Sequence, residues 1–276
     1  MNAYQRKLLR RFAFSRPDIL VGVRIFRGLF VCLCIVVTDA RADDWRPLFN
    51  GKDLSGWETW LAEPYGLNND PKKIFSVVSV DGEAVIRLSG EVFGALTTTE
   101  EFENYHLRLE FKWGEKRWPP AEKNPRNSGL LYHCVGAHGA ESGYCMEGFE
   151  VQIAERDCGD YYSCCGTKVD VTGERRKDTV VFAATGQKFI GHSDRIIKGV
   201  DAEKPHGEWN QVELLCVRDI SVAIINGKVV MRLTNLRKKN DKPLTRGRFQ
   251  LLTEGAEIFF RKIELRSLKG IPQELF

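Results

Sequence analysis

From Tyr105 to Trp113 the chain alternates without a break, with Tyr, Leu, Leu, Phe and Trp at odd positions and His, Arg, Glu and Lys at even ones. Successive side chains of an extended strand point to opposite faces, so this period of two predicts a half-buried antiparallel strand. The stretch Gly148-Phe149-Glu150-Val151-Gln152-Ile153 has the same parity. It directs Phe149, Val151 and Ile153 toward a core and sets Glu150 and Gln152 together on the other side. Further strands are predicted at 74–80, 84–88, 94–97, 129–134, 209–218, 221–225, 228–233, 247–253 and 258–267. Asp81-Gly82 and Asn226-Gly227 supply the two-residue turns that tight hairpins need. Apolar residues at helical spacing are scarce beyond residue 42. Many short strands with turn residues at short intervals predict an all-β fold, a two-sheet antiparallel sandwich of jelly-roll kind.

If the two polar rows share one sheet, Arg108, Glu110, Lys112, Glu150 and Gln152 form a charged surface on rigid backbone. Antiparallel sheets commonly wet one face, so the alternation also fits a plain solvated surface. Two irregular stretches, 135–147 and 155–167, are long for a compact β domain, and the second carries Asp157, Asp160, Tyr161 and Tyr162. Long loops on a rigid scaffold are where function concentrates.

The first 42 residues change the charge picture. A basic segment with Arg6, Lys7, Arg10 and Arg11 precedes the apolar run 29–37 and then Ala40-Arg41-Ala42. These are the parts of a secretory signal peptide with cleavage after Ala42. The run is shorter than the roughly 20 residues of a membrane span, although an uncleaved anchor is the alternative. The chain has 41 Lys and Arg against 37 Asp and Glu; without its first 42 residues it has 33 against 35. The basic isoelectric point therefore belongs to the leader and implies no nucleic-acid partner. The expected mature protein is one domain, residues 43–276, exported to the periplasm or cell exterior, with no membrane partner once the leader is removed.

Six cysteines follow the leader: Cys134, Cys145, Cys158, Cys164, Cys165 and Cys216. An oxidising compartment permits disulfides, with Cys134–Cys145 and Cys158 to Cys164 or Cys165 as the pairs that would close the two irregular stretches. Cys216 follows Val212 and Leu214 on an apolar face and reads as a buried thiol. No C-x-x-C occurs, which argues against a zinc site.

Five pieces, in order, resemble the 3-keto-disaccharide hydrolase domain family, also described as 3-keto-glucoside lyase and 3-keto-glucal hydratase. They are Leu48-Phe49-Asn50-Gly51-Lys52-Asp53-Leu54-Ser55-Gly56-Trp57, Asn127-Ser128-Gly129-Leu130-Leu131-Tyr132, Gly148-Phe149-Glu150-Val151-Gln152-Ile153, Gly207-Glu208-Trp209-Asn210, and the segment from Glu254 to Ile263. Lys262 departs from the Asn expected there, and the cysteine-rich stretch 158–165 is not a family feature. The resemblance implies a concanavalin A-like jelly roll and a 3-keto glycoside as substrate.

In such a sugar the ketone acidifies the neighbouring C–H. A carboxylate can then remove that proton, the glycosidic oxygen can leave, and water can add back. The chemistry needs a base, a group for the enolate charge and an acid for the departing oxygen. Glu150 is the expected base and Glu110 its acid or partner, with Lys112 or Arg108 at the oxyanion and His133 as a further proton carrier. Asn127, Tyr132 and Gln152 are expected to bind hydroxyls, Asp160 to line the site and Trp57 to stack on a sugar face. No cofactor is assigned; a divalent metal held by Glu150 with Asp157 or Asp160 stays open. The alternative on the same fold is a carbohydrate-binding module without catalysis.

Overall fold

The computed structural model describes residues 44–275, so the expected leader and its cleavage point lie outside the described residues. Nineteen strands form in chain order among them. They are β1 (Arg46–Pro47), β2 (Trp57–Leu61), β3 (Gly66–Leu67), β4 (Phe75–Val80), β5 (Glu83–Leu88), β6 (Gly94–Thr98), β7 (Tyr105–Arg117), β8 (Asn127–Val135), β9 (Glu147–Ala154) and β10 (Tyr161–Cys164). The rest are β11 (Lys168–Arg176), β12 (Thr179–Phe182), β13 (Gln187–His192), β14 (Ile196–Ile197), β15 (Asn210–Val217), β16 (Ile220–Ile225), β17 (Lys228–Arg237), β18 (Arg248–Thr253) and β19 (Ala256–Ser267). The helical content among the described residues is one 3-10 turn, Gln273–Leu275.

The alternation of the central strands decides the layers. The first sheet runs β4-β5-β19-β7-β15-β16-β17. The second runs β3-β2-β6-β18-β8-β9-β10 and continues through β14 and β12 to β11 and β13. Leu107, Leu109, Phe111 and Phe260 of the first sheet pack in one core with Leu130, Tyr132, Phe149 and Phe249 of the second. Each such side chain contributes about 1.5–3 kcal/mol on burial. A hydrogen bond of 2.8 Å between the hydroxyls of Tyr132 and Ser221 crosses between the layers. At one side the sheets are stitched together, because β11 also pairs with β17 through Lys168↔Arg237 and Asp170↔Thr234.

Both expected hairpins form. Asp81 and Gly82 have φ of 54° and 81°, and Asn226 and Gly227 have 49° and 77°, the left-handed pairs that suit the twist of flanking strands. The all-β, jelly-roll expectation thus matches the structure. Strands β1 to β3 and β10 to β14 were not expected; they are short or half-exposed, so their alternation is brief.

One expectation fails at this level. Strand β7 lies in the first sheet and β9 in the second, so the two polar rows face away from each other on opposite outer surfaces. The apolar positions of the same two strands, Leu109 and Phe111 against Phe149 and Val151, lie between them. Parity fixes which residues of a strand share a face, but not which sheet the strand joins.

Candidate functional site

Glu150 belongs to the outer face of the second sheet, and antiparallel register assembles its neighbours there. Opposite residues share a face, so Leu131↔Glu150, Gly129↔Gln152 and Tyr162↔Glu150 bring β8, β9 and β10 together. Parity along β18 adds Gln250 and Leu252, and Glu254 follows directly. Trp60 stands on the same face through Trp60↔Ala95. Gly129 leaves room for the acid, since a Cβ on it would collide with Glu150 Oε1.

Residues 136–146 lie over this surface and are pinned at several points. Trp60 Nε1 donates to the Gly143 carbonyl at 2.9 Å and its ring stacks on His138, with centroids 5.5 Å apart. The Met146 N–H donates to Gln250 Oε1 at 3.0 Å. Tyr144 donates its hydroxyl to Glu254 Oε1 at 2.7 Å, and the Glu141 carboxylate accepts the Cys165 N–H.

The result is a covered, acidic nest. Glu150, Gln152 and Glu254 are exposed by only 7%, 8% and 6%. Gln152 Oε1 and Glu254 Oε2 are buried without a hydrogen-bond partner. Among the described residues no cation forms an ion pair with Glu150 or Glu254. Burial and the neighbouring Glu254 and Glu141 raise the Glu150 carboxyl well above its usual range. Burial also raises Glu254, to about 7, against the lowering effect of the Tyr144 hydroxyl. Two buried acids in one nest, of which Glu254 accepts from a tyrosine hydroxyl, are the arrangement from which an acid and a base can be drawn.

Of the expected site residues, Glu150, Gln152 and Asn127 share this face by register. The others are placed elsewhere. Glu110 sits on the outer face of the first sheet, where Arg261 Nε and Lys262 Nζ reach it at 2.6 and 3.0 Å and, against its partial burial, hold its carboxyl below the usual range. A cavity of about 440 Å³ opens beside it, lined by Lys204, Trp209, Gln211, Asn226 and Arg261, but the acid is already spent on its two cations. On the same surface Arg108 pairs with Glu264 at 3.2 Å and lies over the Trp45 ring, and Lys112 faces Asp81 at 3.4 Å. None of the three reaches Glu150.

Tyr132 and His133 both point into the core, although strand parity should separate them. A bulge between Tyr132 and Val135, with His133 at a φ of 52°, turns the imidazole inward among Tyr105, Tyr132 and Phe149. Burial lowers its pKa to about 4, so it is a neutral core residue rather than a proton carrier at the site. Trp57 is core as well, its indole N–H donating to the Leu48 carbonyl at 2.8 Å; Trp60 is the tryptophan on the site's face.

Asp160 is buried, with Oδ2 accepting from Arg195 Nε at 2.7 Å and Oδ1 from the Lys198 N–H at 2.9 Å. It fastens β10 to the following segment through both of its oxygens. Among the described residues no three His, Cys, Asp or Glu side chains gather as a metal-holding group. The six cysteines are all free thiols, so neither expected disulfide is formed: Cys158 lies in the main core, and Cys134, Cys145 and Cys164 pack in a separate cluster under residues 136–146.

Sequence reasoning missed Tyr144 and gave Glu254 no place in the site. The available signal was parity: Gln250, Leu252 and Glu254 fall on one face, and the register of β18 with β8 makes it the face of Glu150.

None of the curated proteins compared with the chain matches it. Two solved structures from Parabacteroides distasonis, both provisionally described as glycosyl hydrolases, share its fold. One is 23% identical with a TM-score of 0.50 and covers 82% of this chain and 100% of its own. The other is 18% identical with a TM-score of 0.52, over 85% and 99%. The sequence profile of the 3-keto-alpha-glucoside-1,2-lyase-like domain matches residues 44–266, nearly all of the described residues. With that match across the entire sandwich, the chain belongs to the 3-keto-alpha-glucoside-1,2-lyase-like domain family.

Proposed function

We propose that the protein is an exported carbohydrate-active enzyme that cleaves 3-keto glycosides by proton abstraction, elimination and hydration, with Glu254 as base and Glu150 as acid. The observation that carries this reading is the pair of buried carboxyls on one sheet face, without a cation and with the Tyr144 hydroxyl donating to Glu254. Family membership supplies the substrate class.

The division of roles follows from the environment. Tyr144 stabilises the ionised form of Glu254, so Glu254 loses its proton first and presents the unpartnered Oε2 to a substrate. Burial and its acidic neighbours raise the Glu150 carboxyl well above its usual range, which favours its protonated form. Glu254 takes the hydrogen from the sugar C2 beside the ketone, and the C2–H electron pair becomes the enolate. The C1–O bond then breaks, and Glu150 delivers its proton to the departing oxygen. Water adds across the C1–C2 double bond, hydroxyl to C1 and hydrogen to C2, so the sum is hydrolysis. Each positioned proton transfer contributes roughly 10²–10⁴ in rate. The Tyr162 hydroxyl, opposite Glu150, and the Gln152 amide are the neutral groups that meet the sugar oxygens.

Incubation of the purified protein with a panel of 3-keto glucosides in heavy water, with and without a chelator, tests the reading. Glu254→Gln should lose both deuterium uptake at C2 and cleavage, whereas Glu150→Gln should lose cleavage and keep uptake. Saturable sugar binding by the unaltered protein without uptake or product would replace the enzyme by a binding module. Export is tested by N-terminal sequencing of the secreted form, which should begin at Asp43.

A further inference from the structure

The acids of the nest are surrounded by cations that are already spent. Glu150 and Glu254 are more than nine-tenths buried and pair with no cation among the described residues. Glu141, on the segment above them, accepts the Cys165 N–H and likewise has no cation there. Arg248 of β18 pairs with Glu58 at 2.9 Å, and Lys238 with Glu147, at the start of β9, at 3.1 Å. Arg195, whose guanidinium lies 5.6 Å from the centre of the Tyr162 ring, is shared between Asp157 at 2.8 Å and Asp160 at 2.7 Å. Once Glu254 is ionised, no positive charge is left over to meet an incoming anion.

Hydrogen-bond capacity points the same way. Gln152 Oε1 and Glu254 Oε2 are buried acceptors without a donor. A hydroxyl or an ammonium group can donate to them, whereas a carboxylate, sulfate or phosphate offers only acceptors. An anion placed here would be desolvated, unpaired and close to a like charge. We propose that the nest is a charge filter, taking keto-sugar rings whose substituents are hydroxyl or ammonium and excluding rings that bear a carboxylate, sulfate or phosphate. The inference rests on the placement of the sugar beside Glu254 proposed above and adds which sugars that place admits.

The test is calorimetric binding to the full protein of 1,5-anhydro-3-ketoglucitol, its C6 carboxylate and its C6 amine. None has an anomeric oxygen to expel, so binding is read apart from turnover. At mildly alkaline pH, where Glu254 is ionised, the carboxylate should bind about 100-fold more weakly than the neutral analogue, the scale of two like charges a few ångströms apart at a protein surface. The amine should bind at least as tightly as the neutral analogue. In Glu254→Gln the gap between carboxylate and neutral analogue should narrow about tenfold. On the unaltered chain it should narrow as acidification protonates Glu254, a readout that holds even if the variant fails to fold. A carboxylate within about threefold of the neutral analogue overturns the filter. So does an amine that binds more weakly than the neutral analogue, a gap that neither the variant nor acidification moves, or no binding of the neutral analogue at millimolar concentration. Failure of 3-keto glucosides to be cleaved, with this series as expected, would instead strike the enzyme reading and leave the filter standing.

Discussion

Glu150 Oε1 occupies the space that a Cβ on Gly129 would need. The φ of Gly129 is not in the left-handed region, so the glycine is needed for room and not for backbone freedom. Gly129→Ala should push the carboxyl from its place and cut turnover of a 3-keto glucoside about 100-fold, on the scale of one misplaced proton-transfer group. The accompanying overpacking costs about 1–3 kcal/mol. Steady-state rates with a thermal melt check both, and an unchanged kcat would mean that the acid's position is unimportant.

Tyr144→Phe removes the hydroxyl that favours ionised Glu254, so the carboxyl should titrate above about 7. The acidic limb of the pH–rate profile then moves to higher pH, and kcat at pH 7 falls about tenfold. A profile that keeps its acidic limb would show that another group sets it.

Glu150 and Glu254 have folded pKa values above their unfolded ones. The folded chain therefore holds more protons, and stability is lost as pH rises through about 7. His133 acts in the opposite sense: its folded value of about 4 lies below the usual 6.5. The unfolded chain binds the extra proton, so stability is lost as pH falls from 6.5 toward 4, by up to about 3 kcal/mol. Between about 4.5 and 6.5 the two effects oppose, so in denaturant melts Glu254→Gln should tilt the pH profile toward loss on acidification and His133→Leu toward loss on alkalinisation.

Glu110→Gln should leave turnover within about twofold of the starting protein and cost about 1 kcal/mol of stability, because Arg261 keeps its second partner, Glu83 at 2.7 Å. A large loss of kcat would return the outer face of the first sheet to the active centre.

The fold was legible because its signals are local. The nine-residue alternation at Tyr105 and the two Asn-Gly and Asp-Gly turns each specify a strand or hairpin from neighbours in the chain. The site was legible only in half. Glu150 and Gln152 declare a shared face by parity, but their partners come from register with strands far along the sequence: Glu254 is supplied by β18 and Tyr144 by a covering segment without periodicity. Glu110 was misplaced because β7 chooses β15 and β19 as neighbours, more than 90 positions downstream, and its own pattern does not record that choice. At His133 a bulge reverses the rule on which the reading depended.

The stitch between β11 and β17 has a mechanical meaning. Asp170 lies at that joint, accepting from Arg237 at 3.1 Å and from the Gly191 amide at 2.9 Å. With one flank fastened, the layers cannot shear past each other, and a row of backbone groups that would otherwise recruit a strand from a second molecule is consumed internally. Loosening Asp170 would therefore expose the chain to self-association before it disturbed the acidic nest beneath Tyr144.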